Sequence, residues 1–282
     1  MPYRHLLKLA FAALILVSCK KNTAPSTPPP TPVQPAPSTP AVLIKDISTT
    51  SLPSPFYHFE YNSDSLPSTV NFASGFSVYD VLYTAGKIAE MRNNTLENHD
   101  TLRYFYDPTG KLSTIKFIDQ TNVTFRQVGF RYNGDRVTEI DWTNLFNAEG
   151  FLNRIVKFEY YADGNLKTMI EDITDPAGIS PESTDTTRFE QYDAGINVED
   201  FSLIHIPFND HLFLLQGFRL QKNNPAKVTF TQPSGVNNYT VNYTYTYNND
   251  NTPSKNEADI LLTGTGPGTG THTHAATTYT YY

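Results

Sequence analysis

Leu102–Phe117, LRYFYDPTGKLSTIKF, is the stretch that decides the fold. Its first half places large apolar residues two apart, so they share one face of a β-strand. The central Asp-Pro-Thr-Gly is a turn sequence, because Asp and Gly tolerate the positive φ angles of a tight hairpin. The second half opens with Leu112 and places Ile115 and Phe117 three and five positions later. A step of three breaks strict alternation and predicts a β-bulge just after the turn.

The same pattern recurs eight times, and the last large residue before each turn marks a loose period of 22 to 32 residues. The eight positions are Tyr61, Tyr83, Tyr106, Tyr132, Tyr160, Tyr192, Leu220 and Tyr247. Copies six and seven fit least well, since Phe189 is out of phase with Tyr192 and Leu220 replaces tyrosine. A hairpin cannot bury its one apolar side alone, and sixteen strands exceed what an open twisted sheet tolerates. The sequence therefore predicts an all-β domain of tandem antiparallel hairpins in one curled or barrel-like sheet.

Three segments, FYDPTGKLSTI, RYNGDRVTEI and EYYADGNLKTM, resemble the tyrosine-aspartate (YD, or RHS-type) β-hairpin repeat of bacterial surface and toxin-shell proteins. The layout is similar to that of a group of Gram-negative envelope lipoproteins with a lipobox, a polar tether and about eight such hairpins. The resemblance covers Phe56 to Tyr282 and implies the fold rather than an activity. The chain has too few repeats to enclose a cargo, so a shell function is not implied.

A barrel of sixteen strands has a wide lumen that something must fill. Residues 198–217, VEDFSLIHIPFNDHLFLLQG, are the candidate. Asp200 and Asn209 are placed to cap two short helices separated by Pro207. We expect this helical insertion to pack inside the barrel or across one mouth; the alternative is an exposed apolar interaction loop.

The N-terminal residues predict an exported and lipidated chain. Residues 1–18 carry Arg4 and Lys8 before an apolar core, as a signal peptide does. The following Leu-Val-Ser-Cys resembles the bacterial lipobox, which implies lipidation of Cys19, the single cysteine. Residues 19–40 then form a lipidated cysteine and a Pro-rich tether, and residues 41–282 form the hairpin-repeat domain. Because two lysines follow Cys19, the resemblance favours the outer membrane, with a periplasmic or cell-surface orientation left open.

Composition excludes several function classes. The precursor has a net charge of −7, which argues against nucleic acid and against binding to anionic lipid by charge. Lipidation of Cys19 would leave no thiol for a disulfide, a thiolate metal site or cysteine catalysis. Serine hydrolase, phosphate-loop and dinucleotide motifs do not occur, so we expect neither an enzyme nor a cofactor. The 18 tyrosines and 18 phenylalanines suit wide pleated sheets.

Several candidate sites have competing interpretations. His272 and His274 would share one strand face, as a metal pair could, and His205 and His211 could approach them, but solvated histidines are the simpler interpretation. Glu171, Asp172 and Asp175 form an acidic stretch without the spacing of a calcium loop, which indicates a solvated bend. The tyrosines Tyr192, Tyr243, Tyr245 and Tyr247 are either core residues or an aromatic platform for sugars.

Short Asp-Ser/Thr motifs resemble O-glycosylation acceptors of exported proteins in glycan-rich bacteria, which gives Ser65, Thr101 and Thr186 as candidate acceptors. The last residues, TTYTYY, resemble the insertion signal of outer-membrane barrels. However, Lys116, Arg131 and Glu139 interleave with the apolar residues, where a lipid-facing barrel needs an apolar band. We therefore expect the final strand to close the sheet.

These observations favour a non-enzymatic envelope lipoprotein that binds or scaffolds an envelope protein or glycan. The alternative is a glycan-binding or weakly glycoside-hydrolysing surface lipoprotein, since hairpin carboxylates could supply the two acids of a glycosidase. A third class, a plugged or open pore, would conduct ions.

Overall fold

A computed structural model describes residues 42–95, 99–146, 149–174, 183–204 and 219–282 of the chain. Sixteen strands in this part of the chain form a single antiparallel sheet that closes into a barrel. The strands are β1 (Ile44–Thr49), β2 (Tyr57–Tyr61), β3 (Pro67–Phe72), β4 (Ser77–Thr84), β5 (Lys87–Asn93), β6 (Thr101–Tyr106), β7 (Leu112–Ile118), β8 (Thr124–Asn133), β9 (Arg136–Phe146), β10 (Glu149–Tyr160), β11 (Leu166–Ile173), β12 (Ser183–Tyr192), β13 (Pro225–Thr231), β14 (Tyr239–Tyr247), β15 (Pro253–Leu262) and β16 (His272–Tyr281). The predicted all-β, barrel-like fold is confirmed.

Each strand pairs with its neighbours in sequence, and the barrel closes where β16 pairs with β1. The seam runs from the Ile44–Tyr281 pair to the Thr49–Thr277 pair. The final strand therefore closes the sheet, as the sequence predicts. Seven hairpins are continuous in the chain, and β16 with β1 forms the eighth from the two termini.

The bulge predicted after the turn is present in six hairpins, and the β12–β13 pair shows no such shift. In the β6–β7 hairpin, Tyr106 pairs with Leu112 and Phe105 pairs with Thr114, so Ser113 is the extra residue. The same shift occurs beside Tyr61, Tyr83, Tyr132, Tyr160 and Tyr247. The three-residue step in the apolar pattern thus keeps the later residues of each descending strand facing the lumen.

A tyrosine hydroxyl links most hairpins to the preceding one. Tyr106 Oη donates to the carbonyl of Ile88 at 2.9 Å, one hairpin back along the chain. The equivalent bonds are made by Tyr61, Tyr83, Tyr132, Tyr160, Tyr192 and Tyr281. The tyrosine before the turn therefore has a structural role: it joins successive hairpins at one end of the barrel, here called the turn end.

The two faces of the wall differ in polarity. The buried apolar residues, among them Phe59, Ile115 and Trp142, point inward and form one core. The outer face carries ion pairs between adjacent strands, including Arg103 with Glu90 at 3.0 Å and Lys157 with Asp172 at 2.9 Å. The apolar and charged residues that alternate in the sequence thus face opposite sides of the sheet, the apolar ones the lumen and the charged ones the outside.

The structure corrects the prediction that copies six and seven are two separate hairpins. β12 pairs directly with β13, with Tyr192 opposite Pro225, so the two copies are one hairpin with a long connection, residues 193–224. Leu220 belongs to this connection rather than to a strand. Phe189 nevertheless faces the core, because Gln191 has a positive φ of 58° and shifts the phase of β12.

The described part of the predicted helical insertion, residues 198–204, contains one 3₁₀ turn. In the described residues, the helical elements are two 3₁₀ turns, Ala73–Gly75 and Asp200–Ser202. Pro207 and Asn209 lie outside the described residues. Across the part of the chain that is described, no helix is long and apolar enough to cross a membrane.

Candidate functional site

The described part of the 193–224 connection, here called the luminal segment (residues 193–204 and 219–224), packs inside the barrel. Phe201 makes edge-to-face contacts with Tyr57 and Phe59 on β2, with ring centroids 5.1 and 5.4 Å apart. Ile204 is fully buried in the core. The segment leaves the wall after β12 and reaches β2 across the lumen, so its described part fills the turn end as the sequence predicts.

Asp200 holds the two ends of the luminal segment together and does not cap a helix. Glu199 occupies the N-cap position without a side-chain capping bond. The Asp200 carboxylate instead accepts from the backbone N–H groups of Leu220 and Gln221. Burial raises the pKa of this carboxyl group to about 7. The predicted capping role of Asp200 was therefore wrong: the aspartate joins two parts of the connection that are 20 residues apart in the sequence.

Amide side chains attach the luminal segment to the barrel. Gln221 Nε2 donates to the Tyr192 hydroxyl at 2.7 Å, and the Asn165 amide oxygen accepts from the backbone of Lys222 at 2.9 Å. Asn224 donates to the Tyr247 hydroxyl at 3.0 Å. Tyr247 is thus the exception among the repeat tyrosines, because its hydroxyl holds the segment instead of the preceding hairpin.

Glu199 lies at the centre of a group of luminal tyrosines. The Tyr279 hydroxyl donates to Glu199 Oε2 at 2.8 Å. Glu199 retains some accessible surface, yet the surrounding protein is dense, and burial raises its pKa to about 7. The pKa values of Tyr57, Tyr243 and Tyr245 are raised, mainly by burial and secondly by the negative charge of Glu199. The sequence analysis missed this carboxylate, because nothing in VEDF distinguishes an acid that enters a lumen from one in water.

The tyrosines considered as a sugar platform face the lumen. Tyr243 and Tyr245 lie 6.0 Å apart, and Tyr245 stacks on Tyr247 at 5.9 Å. The Tyr192 hydroxyl is bonded to Gln221 and to the carbonyl of Leu166. These four rings therefore line the barrel interior around the luminal segment and do not form a platform on the outer wall.

A second polar group lies inside the barrel toward the opposite end. Arg154 stacks 4.5 Å above the Trp142 ring, and its Nε lies 2.6 Å from Glu171 Oε1. Asp185, directly opposite Glu171 in the register, accepts from Gln232 at 3.1 Å. The sequence interpretation of Glu171 and Asp172 as a solvated bend was wrong. Both lie on β11 with their side chains on opposite faces, Glu171 in the lumen and Asp172 paired with Lys157 outside. Asp175 lies outside the described residues.

The two candidate metal ligands lie on the outer wall. His272 Nδ1 is 2.9 Å and His274 Nδ1 is 3.5 Å from Asp259 Oδ1, on the adjacent strand β15. His205 and His211 lie outside the described residues. Within the described ranges, no group of three or more His, Cys, Asp or Glu side chains is arranged to hold a metal ion.

His274 and Asp259 also line an open groove of about 640 Å³ on the outer face of β14–β16. Asn242, Thr244 and Glu257 line the same groove. Hydroxyl, amide and carboxylate groups in a shallow surface concavity suit a neutral polar ligand better than an apolar one.

The candidate modification sites occupy different environments. Ser65 is exposed in the β2–β3 turn with a positive φ of 59°. Thr101 begins β6, and Thr186 lies within β12, where it pairs with Thr231; both are partly buried. Glycosylation of these residues stays a prediction. Cys19 lies outside the described residues, and its lipidation stays a prediction as well.

Comparisons with known proteins identify structures with the same fold. No protein-family model matches this chain, and no curated protein sequence is significantly similar to it. A crystal structure of a porin-like protein from Bacteroides vulgatus matches with a TM-score of 0.57 and 14% identity, over 85% of this chain and 99% of that one. A porin-like protein from Bacteroides uniformis matches with a TM-score of 0.55 and 15% identity, over 80% and 89% of the two chains.

The toxin-shell resemblance receives little support from structure. The toxin complex TcdB2-TccC3 matches 73% of this chain but 10% of its own, with a TM-score of 0.30, which is too low to carry an argument. At 14–15% identity, the Bacteroides structures show a shared fold alone. The chain is therefore similar to two porin-like barrels of Bacteroides in architecture.

Proposed function

We propose that this chain is a non-enzymatic outer-membrane lipoprotein, anchored through lipid on Cys19, whose closed barrel stands in water and binds an envelope partner. The observation that carries this proposal is the polarity of the wall. A membrane-spanning barrel presents an apolar band to lipid and a polar interior to its channel, and here the described strands have the reverse arrangement.

The charged outer wall makes insertion into lipid unfavourable. Lys or Arg on the lipid face costs about 2–4 kcal/mol at the bilayer midplane. The outer face carries Arg103, Arg131 and Lys157 on different strands, each beside a carboxylate. Their cumulative cost favours a barrel in the aqueous phase, attached to the membrane by its N-terminal lipid and tether.

The luminal segment argues against a pore. Its Phe201 and Ile204 belong to the same core as the wall, so the described part of the segment is packed apolar structure rather than a loop in a water channel. The packed luminal segment and the charged wall support a rigid scaffold whose binding surface lies on its outside or its ends. The two Bacteroides proteins that share this architecture are porin-like, which supports an envelope location.

The test combines lipid labelling with fractionation. In cells grown with an alkyne-tagged fatty acid, we expect label on the wild-type chain and none on Cys19→Ser, which should move from the membrane to the soluble fraction. The purified chain should give no conductance in planar bilayers. Label on Cys19→Ser, or discrete channels from the wild-type chain, would contradict the proposal.

A second candidate function, glycan binding, is favoured by the groove on β14–β16. Glu257 and Asp259 lie two residues apart on the same outward face, beside His274 and Asn242. On a glycan array, specific retention that is lost in Asp259→Asn and kept in the wall variant Glu190→Gln would favour this function. Equal signals for the two variants would exclude this groove as the sugar site.

A further inference from the structure

Two connections at the end of the barrel opposite the turn end enclose a cavity of about 210 Å³. They are residues 232–238, between β13 and β14, and residues 263–271, between β15 and β16. This cavity, here called the loop cavity, is lined by these connections and by Phe230, Tyr239 and Leu262 of the adjoining strands. All of its lining residues lie between positions 230 and 269, a range that the structure describes throughout.

Hydrogen bonds between and within the two connections give the loop cavity its shape before any ligand binds. Gly264 N–H donates to the Asn238 carbonyl at 2.9 Å. Gly266 N–H donates to the Val236 carbonyl at 3.1 Å, and the Gly266 carbonyl accepts from the Thr269 hydroxyl at 2.7 Å. A ligand would therefore bind without first having to order these loops, which lowers the entropic cost of binding.

The floor of the loop cavity is apolar and largely aromatic. Phe230 and Tyr239 lie directly opposite each other in the β13–β14 register, and their rings stack with centroids 4.9 Å apart and planes inclined by 16°. Leu262 lies opposite Tyr239 on β15. All three residues are half-buried, so part of their apolar surface is open to the cavity. Three neighbouring strands thus supply one contiguous apolar surface.

The edge of the loop cavity carries polar groups that have no partner among the described residues. The Asn238 amide oxygen accepts from Gln232 N–H at 2.8 Å, which fixes this side chain and leaves its amide nitrogen as a donor for a ligand. No hydrogen bond of the Asn237 amide or of the Tyr239 hydroxyl is found within the described ranges. Burial raises the pKa of Tyr239 above its ordinary value of 10, so its hydroxyl stays protonated and can donate.

The absence of charge narrows the class of ligand. Neither connection contains Asp, Glu, Lys, Arg or His. Asp185 is buried behind Gln232, whose Nε2 donates to it at 3.1 Å, and it does not line the cavity. A charged ligand would therefore lose its hydration here without gaining a counter-charge. Because pockets for drug-sized ligands have volumes of about 300–1,000 Å³, the loop cavity suits one smaller neutral unit.

We propose that the loop cavity binds one pyranose unit of a neutral glycan, with an apolar face of the sugar ring against Phe230 and Tyr239 and its hydroxyls bonded to the amides at the edge. A pyranose combines a face of C–H groups with a ring of hydroxyls, which matches an aromatic floor bordered by amide groups. This inference rests on the proposed function, because it names the chemistry of the envelope partner that the barrel binds. The loop cavity shares no lining residue with the β14–β16 groove, so the two places can be tested apart.

Saturation-transfer NMR tests the proposal on the full-length chain, kept in lauryldimethylamine oxide, a detergent without a sugar headgroup. The probes are the methyl glycosides of glucose, galactose, mannose and N-acetylglucosamine. Sorbitol, which has the hydroxyls but no ring face, and the charged sugar glucuronic acid are the controls. We expect saturation of the C–H protons of at least one neutral glycoside and little or none of the controls. No signal from any of the four glycosides, or equal signals from a control, would overturn the proposal.

Two substitutions remove polar groups of the loop cavity without touching the bonds that hold its connections. Asn237→Ala combined with Tyr239→Phe should raise the dissociation constant at least about fivefold, since two hydrogen bonds to the sugar are lost. Tyr245→Phe, the same change further along β14, should leave it unchanged. The melting temperature of each variant verifies that the barrel is folded. Equal binding by the double variant, or a loss of binding in Asn242→Ala from the β14–β16 groove, would overturn the proposal.

The same preparations separate this proposal from a failure of the broader one. Acylation of Cys19 and membrane fractionation are measured on the cells from which the chain is purified. An acylated, membrane-bound chain that binds no neutral glycoside would refute the loop cavity alone. A chain that binds sugar through the cavity but carries no lipid would refute the proposed anchoring alone.

Discussion

The two ends of the barrel differ in how the connections between strands are closed and joined. At the turn end, short turns are closed by their own side chains: Asp107 Oδ1 accepts from the backbone N–H groups of Thr109 and Lys111 at 2.8 and 2.9 Å. Lysines then connect one turn to the next, as Lys87 does by donating to the Gly110 carbonyl at 2.8 Å. At the opposite end, here called the rim, the connections between strands vary more in length, and two of them expose the large apolar side chains of Phe76 and Val123.

The difference separates structural from functional demands on one repeat. Residues that recur from copy to copy, such as the tyrosine before each turn, are those that the turn end uses to join hairpins. The rim connections differ more from one another, although Asp119 closes the 119–123 turn by the same bonds to backbone N–H groups that Asp107 makes. Loops held on a rigid scaffold are where proteins commonly vary most. The repeated tyrosine bonds and the side-chain-closed turns therefore account for much of the order at the turn end, and four experiments test how the two ends contribute to stability.

The largest effect is expected from pH, through the acids of the luminal segment at the turn end. Because burial raises the pKa of Glu199 from 4.5 to about 7, the folded state binds its proton more tightly than the unfolded state. The resulting stability is full below pH 4.5 and is lost as pH rises to about 7. We expect a loss of about 3 kcal/mol in the free energy of unfolding from this group, measured by urea denaturation between pH 4 and 8.

Asp200, whose pKa is also raised to about 7, adds to the same trend. Glu199→Gln should flatten the pH dependence, whereas Glu190→Gln on the outer wall should not. An unchanged slope in Glu199→Gln would show that Glu199 is hydrated in the folded barrel.

The second effect concerns the rim connections 232–238 and 263–271, which are bonded to each other. Gly264 N–H donates to the Asn238 carbonyl at 2.9 Å, and a side chain at Gly264 would overlap the backbone oxygens of Val236 and Gly235. Gly264→Ala should therefore lower the free energy of unfolding by about 2 kcal/mol. Gly134→Ala is the control at the turn end, because its φ of +58° is strained for alanine but no atom lies within 4 Å. That strain costs about 1 kcal/mol. Equal losses would mean that the two rim connections move apart easily.

A smaller effect is expected from the tyrosine bonds between hairpins. Tyr106→Phe removes the hydroxyl that donates to Ile88, and a hydrogen bond of this kind contributes about 1 kcal/mol. Tyr245→Phe is the matched control, since no hydrogen bond of its hydroxyl is found within the described residues. Urea denaturation of both variants measures the difference. A stable Tyr106→Phe barrel would show that the repeat tyrosine acts through its ring alone.

The smallest effect on stability is expected at Val123, in the 119–123 connection at the rim. Val123 is 56% exposed, and Val123→Thr keeps the branched shape of the side chain, so the free energy of unfolding should change by less than about 0.5 kcal/mol. Urea denaturation of the variant and the wild-type chain measures the change. A loss well above this value would show that the exposed part of Val123 is covered in solution.

The repeat could be derived from the sequence because the same physical requirement recurs in each copy. Apolar residues two apart, a turn with Gly or Asp, and a three-residue step after it determine the facing, the turn and the bulge of a hairpin. That information is local, and the β6–β7 hairpin agrees with it residue by residue. Closure of the barrel also follows, since the apolar face of sixteen strands must be covered.

The parts that could not be derived depend on contacts between distant residues. Leu220 has the spacing of a strand residue, but its backbone N–H bonds to Asp200 twenty positions earlier. Glu171 and Asp172 are adjacent acids in the sequence. Whether each side chain lies in the lumen with Arg154 or outside with Lys157 depends on which face of β11 it occupies. The phase of β12 depends on the positive φ of Gln191. A glutamine gives no sequence signal for such a backbone angle.

The seam between β1 and β16 has a consequence for biosynthesis. No covalent turn joins these two strands, so the ring cannot close until residues 272–281 have been made. A product truncated before this strand would keep fifteen strands with two unpaired edges and an apolar interior exposed to water. Such a fragment would be prone to aggregate in the cell. Residues 272–281 are therefore a segment whose loss the protein cannot tolerate.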